Sequence, residues 1–225
     1  MLISIIIPCY NEEKTIASLL RKVVAAKIND ARKEIILVDD NSSDKSYSIA
    51  KQFLGRIKIF KHGQNFGKGK AIETGIKNSH GEFILIQDAD LEYEPGDYNK
   101  LVKCAVKTHA DVVYGSRFLD KKYSGVYYLG NRVITWLTNM LYNAKLTDIE
   151  TCYKLFKKDI FYKLDIRAKG FDFEPEFTAK CLKRGYKIQE VPVHYYPRER
   201  EDGKKIRFRH GLQAALILLK YRLVA

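Results

Sequence analysis

The stretch FILIQDAD, residues 83–90, joins four apolar residues directly to a segment with two acidic ones. The apolar run is typical of a buried β-strand, and similar runs occur at residues 2–8, 34–38 and 112–114. Between these runs, apolar residues recur with helical spacing, as in residues 16–24. Short apolar strands that alternate with helices predict an α/β fold, with a mostly parallel central sheet and helices on both faces. Such sheets bind ligands where their strands end.

The composition of the 225 residues is that of a globular protein, with 46% hydrophobic residues and a net charge of +13. It predicts a single domain over residues 1–225 and excludes wholesale disorder. The four cysteines lie too far apart for a CxxC pair, which favours buried thiols in a cytosolic protein. No signal peptide or membrane-spanning stretch is recognisable. The positive charge favours an anionic partner, which could be nucleic acid, a membrane surface or a phosphorylated substrate.

The acidic residues at strand ends are the clearest candidates for chemistry. Asp88 and Asp90 follow one apolar run, and Asp39 and Asp40 end another. Two carboxylates one residue apart can converge on a hard cation, and Mg²⁺ typically takes one or two carboxylates together with substrate phosphates. The alternative is a loop in which one Asp caps the helix that starts near Pro95. Two acidic strand ends on one edge of a sheet favour the metal site.

A glycine-rich segment, Gly67-Lys68-Gly69-Lys70, lies between the two acidic pairs. Glycines let backbone N–H groups approach phosphate oxygens, and lysines add positive charge. The segment does not match the GxxxxGK[ST] pattern. By itself it is compatible with a phosphate contact or with a plain turn.

These elements, taken in order, resemble the nucleotide-sugar half of family-two glycosyltransferases of the GT-A fold. The resemblance covers residues 3–118 and rests on PCYNE at 8–12, VDDNSSD at 38–44, NFGKG at 65–69 and DAD at 88–90. It implies that residues 1–118 bind the donor and 119–225 the acceptor. It also implies an Mg²⁺ or Mn²⁺ ion on Asp88 and Asp90, with Glu92 as a third group nearby. The nucleotide-sugar contacts that it implies are Pro8, Tyr10, Glu12, Asp39, Asp40, Gly67, Lys70, Asp88 and Ala89.

The segments DADLE at 88–92 and GSR at 115–117 resemble the branch of dolichyl-phosphate mannose synthases and polyprenyl-phosphate glycosyltransferases. That resemblance implies transfer of mannose or glucose from GDP-mannose or UDP-glucose to a lipid phosphate, with inversion. Arg117 and Arg132 match positions that hold the acceptor phosphate in that branch. Asp148 and Glu174 are the acidic groups expected nearest the acceptor. A phosphate acceptor needs no general base, whereas with a sugar hydroxyl one of the two would have to act as the base.

The last third of the chain contains a charged stretch, residues 196–209, that is typical of a mobile loop. Its basic residues Arg198, Arg200, Lys204 and Lys205 loosely match a segment that closes over the diphosphate in the same branch. A solvated charged loop is the alternative. Residues 210–223 predict a basic amphipathic helix, which could lie on an anionic bilayer or pack on the core.

Three functions therefore remain to be compared. The favoured one is an inverting transferase to polyprenyl or dolichyl phosphate, cytoplasmic and peripheral on a membrane, with a possible anchoring partner. The second is a transferase that acts on a sugar hydroxyl in a polysaccharide or glycoprotein glycan. A nucleic-acid-binding module is disfavoured because Lys and Arg are scattered through all the predicted helices rather than gathered in one stripe. The choice between GDP and UDP, and the oligomeric state, stay open.

Overall fold

The computed structural model describes residues 1–120, 126–198 and 208–223. Strands and helices alternate along most of the chain, with two helices in succession only after β6. The elements in chain order are β1 (Leu2–Cys9), α1 (Ile16–Ala25), β2 (Arg32–Asp39), α2 (Ser46–Ala50), β3 (Lys58–Lys61), α3 (Lys68–Lys77), β4 (Phe83–Ile86), α4 (Tyr98–Thr108), β5 (Val112–Ser116), α5 (Val126–Tyr142), β6 (Lys154–Lys157), α6 (Lys158–Leu164), α7 (Phe173–Lys183), β7 (Ile188–Pro192) and α8 (Phe208–Leu223).

The strands of the described residues form one sheet in the order β3-β2-β1-β4-β6-β5-β7. All neighbouring strands run parallel except β6, which is antiparallel to both β4 and β5. The predicted α/β fold with a mostly parallel sheet is therefore confirmed. Because β1, β2 and β4 are parallel neighbours, the acidic segments that follow them meet at one edge of the sheet.

Both faces of the sheet are covered, which explains why the strands are almost continuously apolar. On one face Ile5 packs with Leu19 of α1 and Leu101 of α4. On the other, Ile6 packs with Ile72 of α3 and Phe177 of α7. Each fully buried side chain of this size stabilises the fold by about 1.5–3 kcal/mol. These two layers fix the strand ends that carry the acidic residues.

Strand β6 was not predicted from the sequence. It inserts between β4 and β5, pairing Leu155 with both Leu85 and Val113. Its first residue, Lys154, is fully buried and is held by the carbonyl oxygens of Ile149 and Thr151, both 2.8 Å from its Nζ. The strand thereby brings the segment before it, residues 147–152, to the acidic edge of the sheet.

Helices α5 and α8 pack together and form a third apolar cluster with α7. Ile134 of α5 and Leu218 of α8 are buried in it, and Tyr142 Oη donates a hydrogen bond of 2.7 Å to the carbonyl oxygen of Leu218. The final helix begins at Phe208, two residues before the predicted start. Within the three described ranges, no helix is both long and apolar enough to cross a membrane.

Candidate active site

A cavity of about 450 Å³ lies at the edge where β1, β2 and β4 end. It is lined by most of the predicted site residues: Pro8, Tyr10, Glu12, Asp40, Gly67, Asp88, Ala89, Asp90, Glu92, Arg117, Glu174 and Arg198. Four predicted residues are not part of its lining: Asp39, Lys70, Arg132 and Asp148. Arg200, Lys204 and Lys205 lie outside the described residues. The cavity thus joins segments of the first half of the chain to side chains from the second half.

One wall of the cavity gathers carboxylates around Arg198. Its Nη2 lies 2.7 Å from Asp90 Oδ2, and its Nη1 lies 3.0 Å from Glu12 Oε2. The backbone N–H of Arg198 donates to Glu92 Oε1 at 2.8 Å, and Tyr195 Oη donates to Glu92 Oε2 at 3.0 Å. Glu92 therefore anchors the chain after β7, and the guanidinium of Arg198 lies against Glu12 and Asp90 in the cavity wall.

The negative charge of Asp90 is only partly neutralised by Arg198. Burial raises the pKa of its carboxyl group to about 7, with Asp88 and Glu92 adding like charge. Arg198 acts in the opposite direction without cancelling these effects. A side chain in this state favours the approach of a further cation.

Lys68 connects Asp88 of the first half of the chain to Glu174 of the second half. It is the first residue of α3, and its Nζ lies 2.7 Å from Asp88 Oδ1 and 2.7 Å from Glu174 Oε1. Burial alone would lower the pKa of Lys68, but the charges of Asp88 and Glu174 together raise it well above its ordinary value. The sequence analysis assigned Lys70 to the site instead. Lys70 pairs with Glu73 at 2.7 Å and does not line the cavity.

The glycines of the segment before α3 have a packing role. Gly67 adopts a φ of 95°, and a Cβ atom there would lie 2.4 Å from the carbonyl oxygen of Lys169. A Cβ on Gly69 would lie 2.4 Å from the carbonyl oxygen of Ala168. A side chain at either position would therefore collide with the backbone before α7. Small residues here let the chain that leads to Glu174 approach the first turn of α3 closely.

The two residues at the end of β2 play different parts. Asp40 accepts hydrogen bonds from the backbone N–H groups of Phe66 and Gly67, at 2.9 and 2.7 Å, and so holds the glycine segment in place. Asp39 is fully buried, and Ser42 N donates to its Oδ2 at 3.1 Å. Among the described residues, Asp39 Oδ1 has no hydrogen-bond partner. An unpaired buried carboxylate oxygen is costly unless a ligand pairs with it.

Another part of the cavity wall is formed by Arg117, which makes an ion pair with Asp148 behind it. Arg117 follows β5, and its Nε and Nη2 donate to Asp148 Oδ2 and Oδ1 at 2.6 and 2.7 Å. Asp148 is fully buried behind the arginine, whose relative exposure is 7%. Burial would lower the pKa of Arg117, but the Asp148 charge keeps it well above its ordinary value. Two of the five N–H donors of the guanidinium serve Asp148, which leaves others for an anion in the cavity.

Glu150 is a cavity residue to which the sequence analysis gave no role. It precedes β6, and its Oε1 is buried without a hydrogen-bond partner in the described part of the chain. Burial raises the pKa of its carboxyl group to about 7, and the nearby Glu174 adds to the effect. The nearest residue that was predicted to lie in the site is Asp148, two positions earlier. Its burial depends on β6, which was not predicted.

The family follows from a direct comparison. The sequence profile described as "Glycosyl transferase family 2" matches residues 4–165, which is most of the chain. The chain belongs to glycosyl transferase family 2. This confirms the family resemblance, and the family's nucleotide-sugar chemistry agrees with the position of the cavity at the strand ends.

Two curated relatives show how similar this family 2 chain is to known proteins. It is 29% identical to glycosyltransferase AglJ of Haloferax volcanii over 200 residues, and 27% identical to the dodecaprenyl-phosphate galacturonate synthase of Rhizobium johnstonii over 211 residues. These matches cover 87% and 90% of this chain but only 63% and 61% of the relatives. The chain therefore corresponds to less than two thirds of either protein.

The fold is shared with the glucosyl-3-phosphoglycerate synthase of Mycobacterium tuberculosis, crystallised with Mn²⁺, UDP-glucose and phosphoglyceric acid. The TM-score is 0.77 at 17% identity, and the superposition covers all of this chain and 80% of the other. At this identity the likeness shows the GT-A fold, and it confirms that part of the prediction.

The residues of this family 2 chain fit a divalent cation that substrate oxygens would complete. Among the described residues, no group of three or more His, Cys, Asp or Glu side chains is arranged to hold a metal ion. Asp88 and Asp90 supply two carboxylates, and burial together with the like charges of Asp88 and Glu92 raises the pKa of Asp90. One or two carboxylates plus phosphate oxygens is the usual ligand set of Mg²⁺.

Proposed function

We propose that this chain transfers a hexose, mannose or glucose, from GDP-mannose or UDP-glucose to a polyprenyl or dolichyl phosphate, with inversion at C1. The observation that carries the proposal is the buried Arg117 in the cavity wall, a cation fixed in place by Asp148. The galacturonate synthase relative, named for a dodecaprenyl phosphate product, supports the same acceptor class. The protein would act as a peripheral membrane enzyme on the cytoplasmic side, with an anchoring partner possible.

The donor would lie against the first half of the chain, residues 1–118. We assign the nucleoside to Pro8, Tyr10, Glu12 and Asp39, whose Oδ1 would gain a hydrogen bond to base or ribose. Asp88 and Asp90 would hold an Mg²⁺ or Mn²⁺ ion, with Glu92 beside them. When bound, that ion supplies Lewis-acid neutralisation of the departing diphosphate. Arg198, and with it Arg200 and Lys205, would add positive charge near the same leaving group.

The acceptor would lie against residues 119–225 and Arg117. The bond between C1 and the diphosphate oxygen breaks while an acceptor phosphate oxygen bonds to C1 from the opposite face. The departing diphosphate keeps the electron pair. Arg117 matches the geometry of a phosphate and orients it for attack. Arg132, exposed on α5, is proposed as a second contact outside the cavity wall. The acceptor is already anionic, so no side chain has to remove a proton.

A second function, transfer to a sugar hydroxyl, is favoured by one observation. Glu150 lines the cavity, and among the described residues its Oε1 has no hydrogen-bond partner. Its pKa of about 7 suits a general base near neutral pH. The bases expected from the sequence are less suited, since Asp148 is paired with Arg117 and Glu174 with Lys68. In this alternative Glu150 would accept the hydroxyl proton.

Transfer assays separate the two functions. We expect label from UDP-glucose or GDP-mannose, with Mn²⁺ present, to move to polyprenyl phosphate in detergent and not to soluble sugars. Glu150→Gln should then retain transfer to within about tenfold. Label on soluble sugars instead, with a loss of about 10²–10⁴-fold in Glu150→Gln, would establish the hydroxyl acceptor and a base. Glu82→Gln, at an exposed site, is the matched control.

A further inference from the structure

Helix α5 leaves a complete apolar stripe in contact with solvent. Leu129, Val133, Trp136 and Met140 follow one another at intervals of four, three and four residues, and each is more than half exposed. That spacing puts them on one side of the helix. The opposite side carries Ile134 and Thr138, which are buried against the protein. The stripe is therefore additional to the apolar surface that the fold requires.

Helix α8 repeats the arrangement. Leu212, Leu216, Leu219 and Leu223 have the same spacing, with exposures of 60%, 60%, 39% and 82%. Ala214 and Leu218, on the opposite side, are buried against α5 and α7. Two neighbouring helices thus each bury one apolar side in the protein and present another to solvent. Monomeric soluble proteins rarely expose apolar surface that is gathered in this way.

The charges around both stripes have a single sign. Neither α5 nor α8 contains Asp or Glu. At 100° per residue, Lys220 and Arg222 flank the leucine stripe of α8 on its two sides, and both are exposed. Arg132 flanks the stripe of α5 and is also exposed. Long basic side chains beside an apolar stripe can extend to lipid headgroups while the stripe enters the acyl region.

We propose that the α5–α8 face, the two stripes with Arg132, Lys220 and Arg222, rests on the surface of an anionic lipid bilayer. Neither helix is long and apolar enough to cross it, so both would lie in the interface. Trp136, the single tryptophan of the chain, is of the type enriched at that depth. A second copy of the chain fits the face less well, because a symmetric contact would bring the same basic residues together without acidic partners.

The same face adjoins the cavity through α8. His210, two residues before Leu212, lines the cavity and lies against Phe171 with ring centroids 5.1 Å apart. Contact of the α5–α8 face with a bilayer would therefore hold one side of the cavity close to the lipid headgroups. The proposal concerns the surface and not the reaction, so it can be tested with no donor or acceptor present.

Tryptophan fluorescence of the unmodified protein is the direct test, because the only indole of the chain lies in the proposed face. Vesicles of phosphatidylcholine with about 30% phosphatidylglycerol should shift the emission of Trp136 to shorter wavelength, and brominated lipids should quench it. Vesicles of pure phosphatidylcholine should give a smaller shift. An emission spectrum that anionic vesicles leave unchanged would overturn the proposal.

Variants then locate the contact. Leu216→Gln should lower the vesicle partition coefficient roughly tenfold, as expected for an apolar side chain lost from the bound face. Lys220→Gln and Arg222→Gln should each lower it roughly fivefold, and only for anionic vesicles. Leu54→Gln is the matched control, since Leu54 has nearly the same exposure, 58%, elsewhere on the surface. An equal loss in Leu54→Gln, or sedimentation showing that the face instead forms a dimer, would contradict the proposal.

Discussion

The two charged walls of the cavity are neutralised in different ways. On the wall that we propose to face the acceptor, called the acceptor wall, Asp148 is fully buried and meets Arg117 through two hydrogen bonds of 2.6 and 2.7 Å. On the wall that we propose to face the donor, called the donor wall, one arginine, Arg198, is shared among Glu12, Asp90 and Glu92. The acceptor wall has one arginine for one carboxylate, whereas the donor wall has one arginine for three carboxylates.

The two arginines therefore differ in how firmly they are held and in how fully they neutralise their carboxylates. Arg117 directly follows β5 and packs over the ring of Tyr195, so its position is set by the sheet. Arg198 lies after β7, next to residues 199–207, which are outside the described chain. Asp90 retains a pKa of about 7 even with Arg198 in contact. The donor wall is thus suited to receive a stronger cation, and the acceptor wall to hold a fixed one.

The largest effect should come from removing a charge on the donor wall. We expect Asp90→Asn to lower kcat about 10³-fold or more, because a group that neutralises the leaving diphosphate is lost. The fold should persist and melt no lower at pH 8, since the substitution removes a poorly compensated buried charge. Kinetics and thermal denaturation measure both effects. Asp159→Asn, at an exposed ion pair, is the control, and full activity in EDTA would refute the metal assignment.

On the acceptor wall, the main effect should be on stability. Arg117→Ala leaves the buried Asp148 carboxylate without its partner, and breaking such a pair costs about 3–5 kcal/mol. Urea unfolding measures the loss. The double variant Arg117→Met, Asp148→Leu should recover part of it, because both charges are then absent. A loss below about 1 kcal/mol in Arg117→Ala would mean that the wall is not a closed pair.

The same contrast explains what could be predicted from the sequence. The donor wall follows local apolar runs, so the acidic residues after β2 and β4 could be assigned to one sheet edge. The acceptor wall depends on β6, which pairs with strands about 70 and 40 residues away. Its sequence, KLFK, begins with a buried lysine whose N–H donors are accepted by two carbonyl groups and whose Nζ lies 3.8 Å from the centroid of the Tyr114 ring. No local pattern reports that arrangement.

The direction in which a side chain points also could not be predicted from the sequence. Lys68 and Lys70 differ by 200° around a helix, so only one of them can face the cavity. The sequence did not decide which, because the direction in which α3 faces depends on the close contacts of Gly67 and Gly69 with the distant chain before α7. Arg117 and Arg132 present the same problem, since both are basic residues near the acceptor half, yet one lines the cavity and the other is exposed.

The pH dependence of the free energy of unfolding tests the charge of Asp90 on the donor wall. The pKa of Asp90 is about 7 in the folded protein and about 4 when unfolded. The folded state therefore binds more protons between these values, and Asp90's contribution to stability is lost as pH rises from 4 to 7. We expect the free energy of unfolding, relative to Asp90→Asn, to fall by up to about 1.4 kcal/mol per pH unit. Urea titrations at several pH values measure this slope, and identical slopes would contradict it.

The smallest effect on stability should come from replacing Arg198, the arginine that three carboxylates share. We expect Arg198→Gln to cost about 1 kcal/mol at pH 6, well below Arg117→Ala, because Asp90 can take up a proton in place of the lost charge. With the guanidinium gone, Mn²⁺ alone should raise the melting temperature more than in the unmodified protein. The additional rise on adding UDP should shrink if Arg198 moves to the diphosphate. Arg167→Gln, at an exposed ion pair, is the control. A cost equal to that of Arg117→Ala, with no gain in the Mn²⁺ response, would show that Arg198 is as fixed as Arg117, and the contrast between the two walls would fail.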